Sequence, residues 1–285
     1  MKIFSSITQL RHYLDFYRRK GDTIGLVPTM GALHEGHGRL VNEAVKSCNL
    51  TVCSIFVNPT QFNNPDDLAN YPKQIEADKK LLAAKGCDAV FLPTVDEMYP
   101  DEKLGLAINF GQLEQVLEGE FRPGHFSGVG VVVSKLLNIV QPDIAYFGQK
   151  DLQQLAIINR LVKDLSIQTK IVAVSTVRES SGLAMSSRNL RLSKEEKVIA
   201  SELYQAMLEL KKSILMGVAT ARAIFETKEK LNELEGLRLE YLEIVNAHTM
   251  DAITDLSASE NVSICTAAYV GKVRIIDNLY IKQED

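Results

Sequence analysis

The 285-residue sequence has no excess of basic residues and no long apolar segment. Lys and Arg total 32 against 36 Asp and Glu, which gives a formal net charge of -4. Without a global basic field the chain has no general attraction for nucleic acid, so we expect no nucleic-acid partner. No run approaches the roughly 18 apolar residues of a membrane-spanning helix. The opening residues, Met-Lys-Ile-Phe-Ser-Ser, also lack the apolar stretch of a signal peptide. We therefore expect no membrane partner.

Cysteine is scarce as well, and its spacing excludes a C-x-x-C redox or metal motif. The four cysteines are Cys48, Cys53, Cys87 and Cys265. They lie within or beside apolar runs, where a free thiol usually packs as a small buried side chain. This usage indicates a reducing, cytoplasmic compartment.

Short apolar runs alternate with helical patterns through the first 177 residues. The strand-like runs are residues 23–27, 51–57, 88–92, 143–147 and 170–177, and the helical patterns are residues 37–48, 75–84, 129–140 and 152–165. In the last of these helices we expect Leu155, Ile158, Val162 and Leu165 to face inward. Such alternation is typical of βαβ units with right-handed crossovers. The prediction is an α/β fold, a Rossmann-like parallel sheet with helices on both faces.

The character of the chain changes after about residue 175. Residues 178–191 are polar and rich in Ser, Gly and Asn, which predicts a loop. Ser193 and Glu196 fit a capping box that opens a helix to about residue 215, and a second helix follows at 220–234. Strand-like runs at 239–245, 262–270 and 273–276 follow, with a Gly271-Lys272 hairpin turn. We predict a smaller C-terminal α+β domain.

A glycine-rich turn at residues 28–40, P-T-M-G-A-L-H-E-G-H-G-R-L, follows the first predicted strand and opens a helix. Ligands of α/β folds bind at such positions, where a helix N-terminus offers N–H groups and a positive dipole end. His34 and His37 share one face of this helical turn and are able to donate hydrogen bonds to phosphate. The alternatives are two helix-capping histidines or a zinc site. The spacing of H-E-G-H is one residue short of H-E-x-x-H, and no third ligand is obvious.

The H-x-G-H pattern resembles the nucleotidylyl transferase superfamily, whose signature is written HIGH. Further segments narrow this resemblance to the pantothenate synthetases (pantoate–β-alanine ligases). These are F-V-N-P-T-Q-F at 56–62, Y-P at 71–72, R-P-G-H-F-S-G-V at 122–129, Q-P-D at 141–143, F-G-Q-K-D-L-Q-Q at 147–154, G-L-A-M-S-S-R-N at 182–189 and I-I-D-N at 275–278. Three positions depart from that family's usual pattern. Gly38 stands in place of a bulky apolar residue, Thr60 in place of Met, and Gln149 in place of Glu.

The resemblance implies roles for individual residues. His37, His34, Lys150 and Arg188 are the implied catalytic residues. Gln61 and Gln154 would hold pantoate. The implied nucleotide-binding residues are Met30, Gly31, Ala32, Leu33, His34, Glu35, Gly36, His37, Gly148, Gln149, Lys150, Asp151, Val177, Met185, Ser186, Ser187 and Arg188. Residues 1–176 would bind nucleotide and pantoate, and residues 177–285 would form a lid. Arg122 and His125 either touch phosphate or brace a loop.

The implied activity is an ATP-dependent ligation of pantoate to β-alanine through a pantoyl adenylate, with Mg²⁺ on the phosphates and release of AMP and pyrophosphate. The resemblance also implies a homodimer, and the protein ligands of the metal stay unassigned. Three other hypotheses remain. They are an adenylyl- or cytidylyltransferase on the same fold, a nucleotide-binding module without turnover, and a zinc hydrolase. A tRNA synthetase is disfavoured by the acidic balance and by the lack of an anticodon-binding domain.

Overall fold

A computed structural model describes residues 1–101 and 105–282 of the chain, which form two compact units. The sheet unit contains Met1–Gln149 and Ile157–Ser175, and the C-terminal unit contains Lys150–Ala156 and the chain from Thr176 onward. The proposed functional division, with residues 1–176 for binding and 177–285 as a lid, stays a prediction. In the part of the chain that the structure describes, no helix combines the length and apolarity needed to span a bilayer.

The sheet unit is built on six parallel strands. They are β1 (Lys2–Phe4), β2 (Ile24–Thr29), β3 (Leu50–Ile55), β4 (Ala89–Phe91), β5 (Ile144–Gly148) and β6 (Lys170–Val174), in the order β1-β4-β3-β2-β5-β6. The order reverses direction between β2 and β5, which pair through Gly25–Ile144 and Leu26–Ala145. This reversal is the topological switch point, where parallel sheets usually bind ligands at the carboxyl ends of the strands.

Helices flank this sheet, as predicted. They are α1 (Ile7–Arg19), α2 (Glu35–Ser47), α3 (Pro65–Ala69), α4 (Ile75–Ala84), α5 (Val95–Met98), α6 (Glu118–Phe121), α7 (His125–Val140) and α8 (Leu152–Asp164), with 3₁₀ turns at Pro59–Gln61 and Gly111–Glu114. Helix α2 packs on β2, β3 and β5 and also contacts α4. Val41 and Ala44 of α2 are fully buried beside Leu82 of α4. This core fixes α2, and therefore the turn that precedes it.

Some local predictions differ from the structure. Strand β1 and helix α1 were not predicted, and for β1 three residues are too few to establish an alternating pattern. Helix α2 begins at Glu35, two residues earlier than predicted, because His34 caps it. The predicted inward position of Leu165 is wrong. It lies just past the end of α8 and is 56% exposed.

The C-terminal unit is a three-stranded antiparallel sheet with two long helices. The strands β7 (Leu237–Asn246), β8 (Val262–Val270) and β9 (Val273–Lys282) pair in that order, and the helices are α9 (Lys194–Leu215) and α10 (Thr220–Asn232). Shorter 3₁₀ turns span Ser187–Arg191 and Leu256–Ala258. The predicted capping box of α9 and the hairpin at Gly271 are both present. Apolar side chains of α9, α10 and the sheet form this unit's own core.

Candidate active site

The turn between β2 and α2 is tightly constrained by its neighbours. Gly31 and Ala32 have positive φ angles of 84° and 50°, and only the first is a glycine. The carboxylate of Asp78, on α4, accepts hydrogen bonds from the N–H groups of Ala32 (2.9 Å) and Leu33 (2.7 Å). The left-handed conformation of Ala32 is costly for a residue with a Cβ, so it persists only where contacts of this kind hold it.

His34 and His37 close the N-terminus of α2 through a capping box made of imidazoles. The Gly36 N–H donates to His34 Nδ1 at 3.1 Å, and the His34 N–H donates to His37 Nδ1 at 3.3 Å. The ring centroids lie 4.1 Å apart. Because Nδ1 accepts in both rings, a neutral imidazole carries its proton on Nε2. Both rings therefore have Nε2–H as their side-chain donor.

This arrangement differs from a simple helix N-terminal anion site. The N–H groups of Ala32, Leu33, His34 and Gly36 all donate within the protein. The histidines are thus helix caps, as one of the alternative hypotheses held. In each ring the capping bond is made by Nδ1. The donors that this turn offers an anion are therefore imidazole N–H groups in place of the backbone N–H groups of Ala32, Leu33, His34 and Gly36.

Gln61 is held in a defined orientation by Asn58. Asn58 Nδ2 donates to the Gly128 carbonyl at 3.2 Å and to Gln61 Oε1 at 3.1 Å. Asn58 Oδ1 accepts from the hydroxyls of Tyr99 (2.7 Å) and Thr60 (3.0 Å). A carbonyl only accepts, so the Gly128 contact fixes which end of the Asn58 amide is nitrogen. Gln61 must therefore present its NH₂ group away from Asn58, and Nε2 lies 3.2 Å from Met30 Sδ.

The turn that carries Gln61 packs closely on α7. A Cβ at Gly128 would lie 2.4 Å from the Thr60 carbonyl oxygen, so only glycine fits there. His125 Nδ1 lies 2.8 Å from the Gln61 carbonyl, and its Nε2 lies 3.1 Å from Arg122 Nη1. The carbonyl requires a donor at Nδ1, so Nε2 accepts from Arg122. Of the two roles left open for His125, the structure shows the bracing of a loop.

In the C-terminal unit, strand β9 holds two separate segments that contain predicted site residues. Asn278 Nδ2 donates to the carbonyl of Lys150 at 2.7 Å. The guanidinium of Arg178 makes two bonds to Asp277, at 2.6 and 3.0 Å, and a third to the Asn278 carbonyl. Lys150 Nζ lies 3.7 Å from the Asp151 carboxylate. Asp277 and Asn278 belong to the I-I-D-N segment, for which the sequence suggested no role.

The predicted loop at 178–191 is a small hairpin followed by a 3₁₀ turn. The Met185 N–H donates to the Val177 carbonyl at 2.9 Å, and Arg178 pairs with Ala184. Ser186 Oγ then accepts from the Arg188 N–H at 3.3 Å. The structure therefore brings Val177 together with Met185, Ser186, Ser187 and Arg188 in one turn of the C-terminal unit.

The predicted site residues are divided between the two units. The sheet unit carries Met30, Gly31, Ala32, Leu33, His34, Glu35, Gly36, His37, Gln61, Gly148 and Gln149, and the C-terminal unit carries Lys150, Asp151, Gln154, Val177, Met185, Ser186, Ser187 and Arg188. Sequence reasoning missed Asp78, Asn58 and Tyr99. Asn58 lies in a quoted motif, whereas Asp78 resembles any other charge on a helix. Within residues 1–101 and 105–282, no three His, Cys, Asp or Glu side chains converge as a metal site would require.

Comparisons with known proteins place these features in a family. The model of the family described as pantoate-beta-alanine ligase matches residues 2–280. The chain belongs to the pantoate–β-alanine ligase family. A pantothenate synthetase of Cytophaga hutchinsonii is 49% identical over 278 residues, 97% of this chain and 98% of that protein. The predictions of the family, of its ATP-dependent ligase activity and of the fold are confirmed.

Solved structures of ligases in this family share the fold. The pantothenate synthetase of Thermus thermophilus has a TM-score of 0.92 at 39% identity, covering 99% of this chain and 100% of that one. The pantoate-beta-alanine ligase of Francisella tularensis, in a complex with Beta-gamma ATP and beta-alanine, has a TM-score of 0.84 at 38% identity. That match covers 100% of this chain and 99% of the other.

Two departures from the usual ligase pattern have local explanations. Above Gly38, the space for a side chain is taken by Lys85, whose Cε lies 2.8 Å from where a Cβ would stand and whose Nζ pairs with Glu35 at 2.8 Å. Thr60 supplies a hydroxyl that donates to Asn58 at 3.0 Å. Lys85 thus occupies the space beside Gly38, and Thr60 adds a hydrogen bond to Asn58.

Proposed function

We propose that this chain joins pantoate to β-alanine in two steps, with ATP activating pantoate as an acyl adenylate and AMP and pyrophosphate as the other products. The observation that carries the proposal is the match to the ligase family over residues 2–280. The turn that presents the Nε2–H groups of His34 and His37 supports it, because adenylation requires donors directed at phosphate oxygens.

In the first step, the carboxylate of pantoate attacks the α-phosphate of ATP in line. That carboxylate is already ionised near pH 7, so it needs no base. Negative charge spreads over the phosphate oxygens as pyrophosphate leaves, and positioned donors stabilise it. We assign this task to His34, His37, Lys150, Ser186, Ser187 and Arg188. Residues Met30 to Leu33, Glu35, Gly36, Gly148, Gln149, Asp151, Val177 and Met185 complete the nucleotide contacts.

Pantoate is assigned to Gln61 and Gln154. Gln61 is 93% buried and presents its NH₂ group because Asn58 occupies its oxygen, so it is suited to donate to a hydroxyl or carboxylate of pantoate. A site that hydrogen-bonds a hydroxyl of its substrate rejects analogues that lack this hydroxyl, because a buried polar group of the site is then left unpaired.

In the second step, the amine of β-alanine attacks the acyl adenylate. The amine has an ordinary pKa near 10 and must lose a proton before it attacks. Transfer into a closed, dry site lowers the pKa of an amine, and it also protects the adenylate from water. We propose that residues 177–285 act as the lid that excludes water in this step.

We propose that Mg²⁺ enters with ATP as part of the substrate. In the described part of the chain no converging set of three metal-ligating side chains is present, so the side chains do not form a metal cage. Magnesium in nucleotide-dependent enzymes is held largely by phosphate oxygens and water. We also propose a homodimer, from the family resemblance, and a cytoplasmic location, since all four cysteines are free.

The test is pyrophosphate release from ATP and Mg²⁺ with pantoate, followed by the same assay with β-alanine present and AMP monitored. We expect release to require pantoate and steady turnover to require β-alanine. Release with a phosphorylated acceptor and without AMP would favour the transferase instead. ATP binding with no turnover under any condition would favour the binding module, and stoichiometric zinc on metal analysis would favour the hydrolase.

A further inference from the structure

Asp78 is a buried carboxylate outside the set of residues assigned to ATP or pantoate. It lies in the first turn of α4, its residue is 1% exposed, and its backbone N–H donates to the Gln74 carbonyl at 2.9 Å. Burial of an ionised carboxylate is expensive unless its oxygens are satisfied by strong donors. An apolar side chain would fill such a position but would remove the acceptor of the Ala32 and Leu33 N–H groups. The presence of a carboxylate therefore indicates a task that an apolar side chain does not perform.

Both carboxylate oxygens are directed at the turn between β2 and α2. Oδ2 accepts from the Ala32 N–H at 2.9 Å, and Oδ1 accepts from the Leu33 N–H at 2.7 Å. Oδ2 also lies 3.1 Å from the position of a Cβ on Gly31. Because two adjacent N–H groups donate to one carboxylate, both the direction of the peptide chain and its distance from α4 are fixed. In the part of the chain that the structure describes, Asp78 makes no ion pair, so the turn is its partner.

The segment that Asp78 holds, Ala32 and Leu33, includes the strained residue of the turn. Ala32 has a φ of 50°, a value that residues with a Cβ rarely adopt. His34 and His37 follow within five residues, and their rings are oriented by bonds to the N–H groups of Gly36 and His34. A change in the path of Ala32 and Leu33 would move this capping box as a body. The position of both imidazoles therefore depends on Asp78.

We infer that Asp78 is a positioning residue for ATP activation. It occupies two N–H groups of the turn as a built-in anion and thereby sets the place of the His34 and His37 Nε2–H donors. Asp78 itself touches no reacting atom in this assignment. The inference rests on the proposed function, since its effect is expressed through the first step. A displacement of about 1 Å at such donors is enough to reduce a rate by about 100-fold.

The test compares two amide-for-carboxylate changes in the same turn of α4. Asp78→Asn leaves one oxygen for two N–H groups and directs an NH₂ group at the turn. Glu76→Gln is the matched control, because Glu76 lies two residues away with its side chain 80% exposed and paired to Lys79. For each protein we would measure pantoate-dependent pyrophosphate release with saturating β-alanine, the KM for ATP and pantoate, the Kd for ATP, and the circular dichroism spectrum.

We expect Asp78→Asn to lower kcat by at least about tenfold and to raise the KM for ATP, by the loss of donor placement. The KM for pantoate should stay within about twofold, and Glu76→Gln should match the unmodified chain, since the Glu76–Lys79 pair is an exposed one. A loss of folding alone would instead reduce the active fraction and leave both KM values unchanged. Asp78→Asn kinetics equal to those of Glu76→Gln would overturn the inference.

Two further outcomes, a variant that does not fold and an unmodified chain without activity, have separate consequences. If Asp78→Asn does not give folded protein, Asp78→Glu is scored in its place, since it keeps both oxygens and the charge but moves the turn by one methylene. The same split between the two KM values is expected, and its absence overturns the inference. If the unmodified chain releases no pyrophosphate with pantoate, the proposed function fails. The inference is then judged by the Kd for ATP alone, which Asp78→Asn should weaken and Glu76→Gln should not.

Discussion

The two ring nitrogens of His37 have separate tasks, and substitutions can separate them. Nδ1 accepts from the His34 N–H at 3.3 Å and caps α2, while Nε2–H is the proposed phosphate donor. In His37→Asn the side-chain oxygen takes the place of Nδ1, but no group reaches the place of Nε2. In His37→Ala both are lost. We expect both variants to lose activity, because removal of one such donor typically costs about 100- to 1000-fold in kcat.

Stability distinguishes the two variants. Loss of an N-terminal cap typically costs about 1 kcal/mol, so His37→Ala should unfold at lower urea concentration than His37→Asn. Urea unfolding followed by circular dichroism and steady-state AMP release would be measured on the same preparations. Retention of full activity in either variant would remove His37 from the mechanism.

Gln61 allows a sharp test of the pantoate assignment. Asn58 fixes Oε1 of Gln61 as an acceptor, so Nε2, which lies 3.2 Å from Met30 Sδ, is the proposed donor to pantoate. In Gln61→Glu, the bond from Asn58 is kept while an oxygen with negative charge replaces the donor. We expect the KM for pantoate, an anion, to rise by at least about tenfold, because one unpaired or like-charged group in a buried site typically weakens binding by that factor. The KM for ATP should change less, and equal effects on both would contradict the role of Gln61.

Gln154, in the C-terminal unit, is the second residue that we assign to pantoate. It lies on the first turn of α8 and is half-buried beside the buried Gln153, which should be left unaltered. Gln154→Ala should raise the KM for pantoate more than the KM for ATP. Steady-state kinetics with each substrate varied in turn measure this directly. A larger effect on ATP would place Gln154 with the nucleotide contacts instead.

At the scale of single residues, the sequence predicted those groups whose residue type and spacing are distinctive. His34 and His37 stand in a glycine-rich strand-to-helix turn, a context that few histidines share. Asp78 has no such signal. It is one of four charged residues at positions 76–80 of an amphipathic helix, and only the tertiary contact with Ala32 and Leu33 distinguishes it. In the sequence, only the family resemblance supports the roles of Gln61 and Gln154. The orientation of Gln61 depends on Asn58, whose amide is fixed by the contacts with Gly128 and Tyr99, and the sequence does not show these contacts.

The N-terminus of α9 provides a test at the level of one element. Ser193 Oγ accepts from the Glu196 N–H at 3.1 Å, and Glu196 Oε2 accepts from the Ser193 N–H at 2.8 Å. Ser193→Ala removes the first of these bonds, and we expect a loss of about 1 kcal/mol in the stability of the C-terminal unit. Urea unfolding by circular dichroism would show a lower midpoint with an unchanged slope. Ser193→Thr, which keeps the cap, is the control and should unfold close to the unmodified chain.

Elements were predictable where sequence periodicity and capping agreed. Ser193 with Glu196 is a standard capping pair, and the start of α9 was found to the residue. Helix α2 was placed two residues late because its cap is His34, a residue type that gives no general capping signal. Leu165 continued the apolar period of α8, but the helix ends at Asp164, so the period no longer applied. The predicted helix boundaries were therefore wrong where capping or tertiary contacts override the apolar periodicity of the sequence.

At the scale of the molecule, the family was readable because its motifs are spread from residue 28 to residue 278. The division into compact units was less readable, since residues 150–156 group with the C-terminal unit although they lie between two strands of the sheet unit. Asn278 gives the physical reason, because it binds the carbonyl of Lys150 over 128 positions of sequence. Contacts at such separation leave no periodic trace in the chain.

Buried thiols and phenols of the sheet unit predict a response to pH. Burial raises the pKa of six thiols and phenols in the sheet unit. They are Tyr13, Cys48, Cys53, Cys87, Tyr99 and Tyr146. For Cys87 the pKa rises from 9.0 to about 11, and for Tyr146 from 10.0 to about 12. At neutral pH these groups are protonated whether the chain is folded or unfolded, so they have no effect on stability there.

Above pH 9 the unfolded chain releases the Cys87 proton while the folded chain keeps it. The unfolded state then binds fewer protons, so stability falls with rising pH, by about 1 kcal/mol per unit for such a group between pH 9 and 11. Alkylation rates at Cys53 and Cys87 of the sheet unit should therefore rise when they are measured from pH 8 to 10. Cys87→Ser keeps a donor for the carbonyls of Thr51 and Ala89 but does not ionise in this range, so it should flatten the rise at Cys53. Equal slopes for Cys53 in both proteins would show that the loss of stability has another source.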